Sequence, residues 1–387
     1  MQSTLRELGQ GAVLLYTLVG EDKYRIMLVT PDTQQAYENP VRAADLQAKV
    51  LAFRETLQDP RKDPAPLARE LYRILVGPKL AHDLKQAGAK TLMWSLDGVL
   101  RYLPIAALQD EQQKYLVETY RNVIFTPASR DHLKDPVAAH WQGLGLGVSK
   151  GRDVMLPDTN RRLTFNPLPG VPQELRSIIR DNSADQTVTN GDGVLEGRVV
   201  LDESFTKDAL RTALHQHYPL VHIASHFVFQ PGNETDSFLL LGGADEQNDK
   251  LTIPEIRRLS FEGVNLLTLS ACETAMSGEK ANGVEVESFG VLAQQKGAEA
   301  VMATLWPVAD VSTPLLMREF YRLRESNPGI TKAEALRRAQ LALIAGEIKP
   351  TNDTKDGRGL KVSVESSRAS FTHPFYWAPF ILIGNWR

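Results

Sequence analysis

Five strand-length apolar runs, separated by helical stretches, constrain this chain more than any other feature. They are GLGLGVS (143–149), PLVHIASH (219–226), VNLLTLSAC (264–272), AEAVMATLW (298–306) and PFILIG (379–384). Strands that alternate with helices build a mostly parallel sheet with helices packed on it. The intervening helices are expected at about 172–181, 206–217, 284–296 and 313–326. One more opens at Thr331, which forms a capping box with Glu334, and stops at Gly346.

The chain is 387 residues long, more than one core usually holds, so two domains are expected, 1–140 and 141–387. The first reads as a smaller α/β unit. GAVLLYTLVG (11–20) and KYRIMLVTP (23–31) alternate and end at turn signals, which predicts a hairpin. Asn39-Pro40 and Asp63-Pro64 place a capping residue before proline, predicting helices over about 41–57 and 64–76. KTLMWSL (90–96) and VLRYLPIAAL (99–108), joined by Asp97-Gly98, predict a second hairpin, and RNVIFTP (121–127) closes the unit. No phosphate loop, metal cluster or nucleophile–base pair falls in this unit, so a structural or substrate-shaping role is expected.

A net charge of −3 offers no basic footprint for nucleic acid or for an anionic membrane. No stretch approaches the ~20 apolar residues that span a bilayer, and the N-terminus lacks the basic leader and apolar run of a signal peptide. A soluble cytoplasmic protein is the expectation. The single cysteine rules out disulfides within the chain and CxxC zinc or redox sites.

That cysteine, Cys272, ends a strand run and precedes the polar loop ETAMSGEKANG. His226 ends the preceding buried strand in the same way. Ligands of parallel sheets bind beyond the carboxyl ends of the strands, and neighbouring strands lie ~4.8 Å apart, so the two tips can form a thiol–imidazole pair. A neutral histidine there takes the thiol proton, and the imidazolium then stabilises the thiolate. A small buried thiol and a strand-end histidine without chemistry are the plainer alternatives. His222, four residues before His226, reads as a packed, hydrogen-bonded core residue. His373, beside Pro374, reads as structural. GVSKG (147–151) matches the G-x-S-x-G elbow around Ser149, but that motif needs a helix directly after the serine, and a proline-rich stretch follows instead. GLGLG likewise lacks the spacing of a dinucleotide loop.

At these residues the sequence resembles the CHAT domain, a caspase-like family often fused to TPR repeats. The resemblance covers nearly the whole chain. It rests on LPGVPQEL (168–175), VHIASH (221–226), DSFLLLGG (236–243), LSACETAMSG (269–278), the long block 283–313 and HPFYWAPFILIGNWR (373–387), all in order. LDGVLRYLPIAAL (96–108) also resembles the region that precedes the peptidase domain in that family. The resemblance implies a caspase-like, mainly parallel sheet and a His226–Cys272 dyad. It further implies kinship with separase and caspases, and an oxyanion hole made by the backbone N–H groups of Phe227 and Cys272. One departure stands out: the family usually carries glycine after the dyad histidine, and Phe227 tolerates a positive φ poorly.

The expected function is therefore a cysteine endopeptidase acting on a protein substrate, without cofactor or metal. An activating protein partner or a TPR region is the expected regulator. Two alternatives stand: a degenerate module that binds a peptide or protein without cleaving it, and a hydrolase using Ser149. A right-handed crossover should set the strand 298–306 beside the Cys272 strand and bring Asp310 to the dyad's edge, where it would grip a substrate Arg or Lys. LWPVAD also resembles the separase segment whose aspartate receives arginine. Alternatively, Asp310 supports only the following helix N-terminus. Residues 347–372, polar and aperiodic, are expected to form a long surface loop, either ordering near the cleft on binding or serving as a tolerated insertion.

Overall fold

The computed structural model describes residues 1–136, 138–156, 161–181, 193–230, 233–245, 248–270, 284–306, 312–348 and 371–387. The N-terminal segment begins with helix α1 (Gln2–Leu8) and strands β1 (Ala12–Val19), β2 (Tyr24–Val29) and β3 (Gln34–Asn39). Helices α2 (Ala43–Leu57), α3 (Ala65–Leu75) and α4 (Gly77–Gln86) lead to β4 (Thr91–Ser95), then α5 (Leu116–Thr119) and β5 (Arg121–Ile124). β1 and β2 pair antiparallel as expected, and β3 extends the hairpin to a meander. Asn39 thus ends a strand rather than capping α2. The Asp63 carboxylate does accept the Ala65 N–H at 3.0 Å, at the start of α3.

The hairpin expected over 90–108 does not form. β4 already has β1 on one side and β5 on the other, so no edge is left for a hairpin partner. The chain instead coils into two 3-10 turns, Gly98–Tyr102 and Ile105–Ala107, the first entered through Gly98 at φ 54°.

The rest of the chain continues the same sheet. Strands β6 (Gly143–Gly147), β7 (Arg152–Met155), β8 (Arg162–Phe165), β9 (Ile179–Asp181), β10 (Leu195–Leu201) and β11 (Leu220–Ala224) include helices α6 (Val171–Ile178) and α7 (Lys207–Leu214) between them. There follow β12 (Phe227–Gln230), β13 (Asn233–Leu240), β14 (Lys250–Thr252), α8 (Ile253–Ile256), β15 (Leu266–Ser270), α9 (Val284–Gln295) and β16 (Ala300–Thr304). Helices α10 (Ser312–Ser326), α11 (Lys332–Ile344) and α12 (Pro374–Trp377) precede the last strand, β17 (Phe380–Gly384).

One twelve-stranded sheet runs β3-β2-β1-β4-β5-β17-β16-β15-β11-β6-β10-β9, parallel except at β3–β2, β2–β1 and β17–β16. The strands of the two segments meet at β5 and β17, through the single register pair Ile124–Ile383. β12–β14 and β7–β8 form two small separate sheets. β7, β8, β12 and β14 hold three or four residues each, too few to carry a periodic signal, and of these sheets the sequence reading touched only β13, through the family block 236–243.

Helices cover both faces. Register partners His222 and Thr268 both touch Tyr321 of α10, whereas Val301 on the alternate face lies 3.5 Å from a side-chain position at Gly290 of α9. The GLGLG run has a packing reason. A β-carbon at Gly147 would fall 2.5 Å from Val171 of α6, and one at Gly143 or Gly145 would fall 2.9–3.0 Å from Ile179, the residue directly after α6, so the glycines let α6 and the start of β9 lie close on β6. Among the described residues, no helix is long and apolar enough to cross a membrane.

Candidate active site

β11, β15 and β16 lie side by side and parallel, so their carboxyl ends share one edge of the sheet. The expected order is therefore present: the histidine strand and the 298–306 strand flank the strand that leads to Cys272. Register pairs Ala224 with Ser270 and Leu269 with Ala303. His226 stands two residues beyond Ala224, just as Cys272 follows Ser270 by two in the sequence. Cys272 and Asp310 lie outside the described residues, as does most of the expected loop (349–370).

His226 is 5% exposed and held from two sides. Its own carbonyl accepts the Leu240 N–H at 2.8 Å, and the neighbouring Ser225 hydroxyl donates to the Leu240 carbonyl at 2.7 Å, so β13 anchors the tip of β11. Its ring lies 5.1 Å from that of Phe165, at the end of β8. Nε2 lies 3.0 Å from the carbonyl oxygen of Asn166. A carbonyl can only accept, so Nε2 carries the proton and Nδ1 of the neutral ring is the basic nitrogen. The sequence reading missed Asn166 because a backbone carbonyl leaves no side-chain signature. Only its place just before LPGVPQEL hints at it.

Phe227 opens β12 without backbone strain. Among the described residues, the non-glycine ones with positive φ are Gln10, Gln113, Asp202 and His217, so the phenylalanine does not occupy a conformation that glycine alone would favour. The Leu240-to-His226 bond makes Phe227 and Leu239 a non-hydrogen-bonded pair. In such a pair the N–H points away from the partner strand, so the Phe227 N–H is directed away from β13. Its ring meets that of Phe289 edge-on, with centroids 5.4 Å apart.

His222 is a core residue, as expected. Fully buried, it bonds Glu174 Oε1 through Nε2 at 2.9 Å and the Tyr321 hydroxyl through Nδ1 at 3.1 Å. Tyr321 also meets Thr268 Oγ1 at 2.8 Å, and burial raises its pKa, so the phenol stays protonated. Ser149 is likewise structural. Its hydroxyl donates to the Asp202 carboxylate at 2.8 Å, and the chain after it enters β7, not a helix.

The family model described as CHAT domain matches residues 65–385. Tetratricopeptide repeat protein 28 of Mus musculus is 23% identical over 366 residues, covering 83% of this chain and 13% of that protein. The Homo sapiens protein of that name is 24% identical over 364 residues, with the same coverages. This chain thus spans about one eighth of the length of those relatives. Among solved structures, the Saccharomyces cerevisiae separase–securin complex matches 99% of this chain and 30% of that one, with a TM-score of 0.53 at 9% identity. The fold is accordingly caspase-like, a mainly parallel sheet flanked by helices.

Proposed function

We propose, from the premise that this chain belongs to the CHAT domain family, that it is a cysteine endopeptidase with Cys272 as nucleophile and His226 as base. The observation that carries this reading is the register of β11 and β15, the adjacent parallel strands that lead to the two residues. His226 lies two residues past Ala224, the register partner of Ser270, and Cys272 is two residues past Ser270. Adjacent strands are ~4.8 Å apart and each residue stands only two steps past a register pair, a spacing that would let the thiol approach the imidazole.

In the reaction, Nδ1 of His226 takes the thiol proton while Nε2–H stays on the Asn166 carbonyl, which fixes the ring's orientation. The thiolate attacks the scissile carbonyl carbon and forms a C–S bond. The N–H groups of Phe227 and Cys272 receive the oxyanion. The imidazolium returns its proton to the leaving amine as the C–N bond breaks, and water hydrolyses the thioester. Residues 141–387 would form the peptidase unit and 1–140 its support. Since the matching relatives are named for tetratricopeptide repeats, a TPR region or partner is the proposed regulator, in the cytoplasm.

A peptide-based electrophile is expected to label Cys272 in the native protein and to fail in His226→Ala. Equal labelling of both would favour the binding-module alternative, in which the thiol has no base.

Asp310 is the proposed specificity residue, gripping Arg or Lys before the scissile bond. Its support is topological: β16, which leads to it, adjoins β15. On a peptide panel varying that residue alone, wild type should favour Arg over Leu, and Asp310→Ala should lose about ten- to a hundredfold of that preference, the effect of one charged hydrogen-bonded contact. A preference for arginine that survives the substitution would exclude the assignment.

A further inference from the structure

Arg54, near the end of α2, is 6% exposed, an uncommon environment for a permanent charge. Its Nη2 donates to the carbonyl oxygen of Leu305 at 2.7 Å, across 251 residues of sequence. Its guanidinium carbon also sits 5.1 Å from the ring centroid of Tyr102, a fully buried residue in the 3-10 turn after β4. Helix α2 and that turn, both N-terminal, therefore converge on the exit of β16.

Leu305 needs a donor there. The last register pair between β16 and β17 is Thr304 with Phe380, and the Leu305 N–H still reaches the Pro379 carbonyl at 3.0 Å. The Leu305 carbonyl, on the same side of the strand, faces Pro379, whose nitrogen carries no hydrogen to donate. A buried carbonyl is seldom left without a donor, and Arg54 supplies one.

The same exit is held at a second point. His373 Nε2 donates to the Lys62 carbonyl at 3.0 Å, and its Nδ1 accepts the Phe375 N–H at 3.1 Å, capping α12. Trp306 Nε1 donates in turn to the Phe375 carbonyl at 3.4 Å. Trp306 stands three steps beyond Ala303, as Cys272 stands three beyond its partner Leu269. The brace thus acts at the carboxyl end of β16, beside β15, the strand that leads to Cys272.

We propose that Arg54 is a positioning residue: by fixing Leu305 and Trp306 it sets the wall of the peptide-binding edge beside the nucleophile. The N-terminal unit is then an integral part of the peptidase. The inference rests on the cysteine-peptidase reading above. A buried charge seldom adds stability over a well-packed apolar side chain, whereas a planar guanidinium fixes direction. Geometry is what this residue contributes.

The test uses the full chain with Arg54→Met and Arg54→Lys. Arg54→Met should raise KM for a peptide substrate about tenfold, the loss of one charge-assisted hydrogen bond, with kcat nearly unchanged. Amides of Leu305 and Trp306 should exchange hydrogen faster, those of 220–226 should not, and the pH profile of Cys272 alkylation by iodoacetamide should stay put. Arg54→Lys should recover part of the KM effect, and it carries the same measurements should Arg54→Met not fold. Unchanged KM and exchange in a folded variant would overturn the proposal, as would a fall in kcat matched by slower alkylation. Were wild type to cleave nothing, the peptidase reading would fail by itself, and exchange at Leu305 and Trp306 would still decide whether Arg54 holds that edge.

Discussion

Cys272→Ala is expected to abolish peptide cleavage, and His226→Ala to lower it by about 10²–10⁴-fold, the range of a lost general base. Both variants should keep the fold. The anchorage of the β11 tip runs through backbone and Ser225, not through the imidazole: the His226 carbonyl accepts Leu240 N–H, and the Ser225 hydroxyl bonds the Leu240 carbonyl. Losing the ring also frees the Asn166 carbonyl at a site near the protein surface edge of the sheet, a modest cost in stability of about 1 kcal/mol. Losses from the two substitutions should not add, because base and nucleophile act as one unit. Kinetics on a peptide substrate, with circular dichroism of each variant, decide the matter. Turnover retained in Cys272→Ala would end the proposed mechanism.

A second large effect is expected at Lys332, the first residue of α11. Its side chain is fully buried, and Nζ has no hydrogen-bond partner among the described residues. Burial pulls its pKa down from 10.5 to about 7. Glu299 and Asp135 favour the charged form, while Arg324 and Arg387 oppose it. Glu299, itself raised chiefly by burial, is held by Asn265 and Asn385 at the opposite edge of the sheet from the proposed dyad.

The sign follows from proton counting. Below pH 7 both native and unfolded chains carry the proton, and the full cost of the buried charge is present. Between pH 7 and about 10.5 the unfolded chain binds more protons than the native one, so stability rises with pH. A shift of this size corresponds to a change on the order of 5 kcal/mol across that window. Lys332→Met should remove the rise and be more stable at pH 7 by about 1–4 kcal/mol. Urea midpoints at pH 7 and 9.5, compared at constant slope, test this. An identical pH dependence in the two proteins would refute a buried titrating lysine.

Much of the fold was legible because it is written in periodicity. The five apolar runs became β6, β11, β15, β16 and β17, and the helices between them fell within a few residues of expectation. Thr331 does cap α11, accepting the Glu334 N–H at 3.1 Å. Misreadings occurred where local pattern competes with neighbours. Residues 99–108 are apolar and follow the turn signal Asp97-Gly98, which suits a strand, but β4 had both edges filled by strands remote in sequence. Strands β7, β8, β12 and β14 hold three or four residues each, too few to show a period.

The candidate site divides along the same line. Residue types at strand ends, together with the family blocks, singled out His226, Cys272, Phe227 and Asp310 from the sequence alone, because parallel strands put their chemistry at their carboxyl tips. Sequence could not say which nitrogen of His226 is basic, since the Asn166 carbonyl that decides it lies 60 residues away. It raised a worry over Phe227 that the backbone dispels, because strand pairing with β13 gives that residue an extended conformation any side chain accepts. Nor could it pair Arg54 with Leu305 or bury Lys332 beneath Glu299. Such contacts depend on where distant segments meet in space, and no local pattern of side chains encodes that meeting.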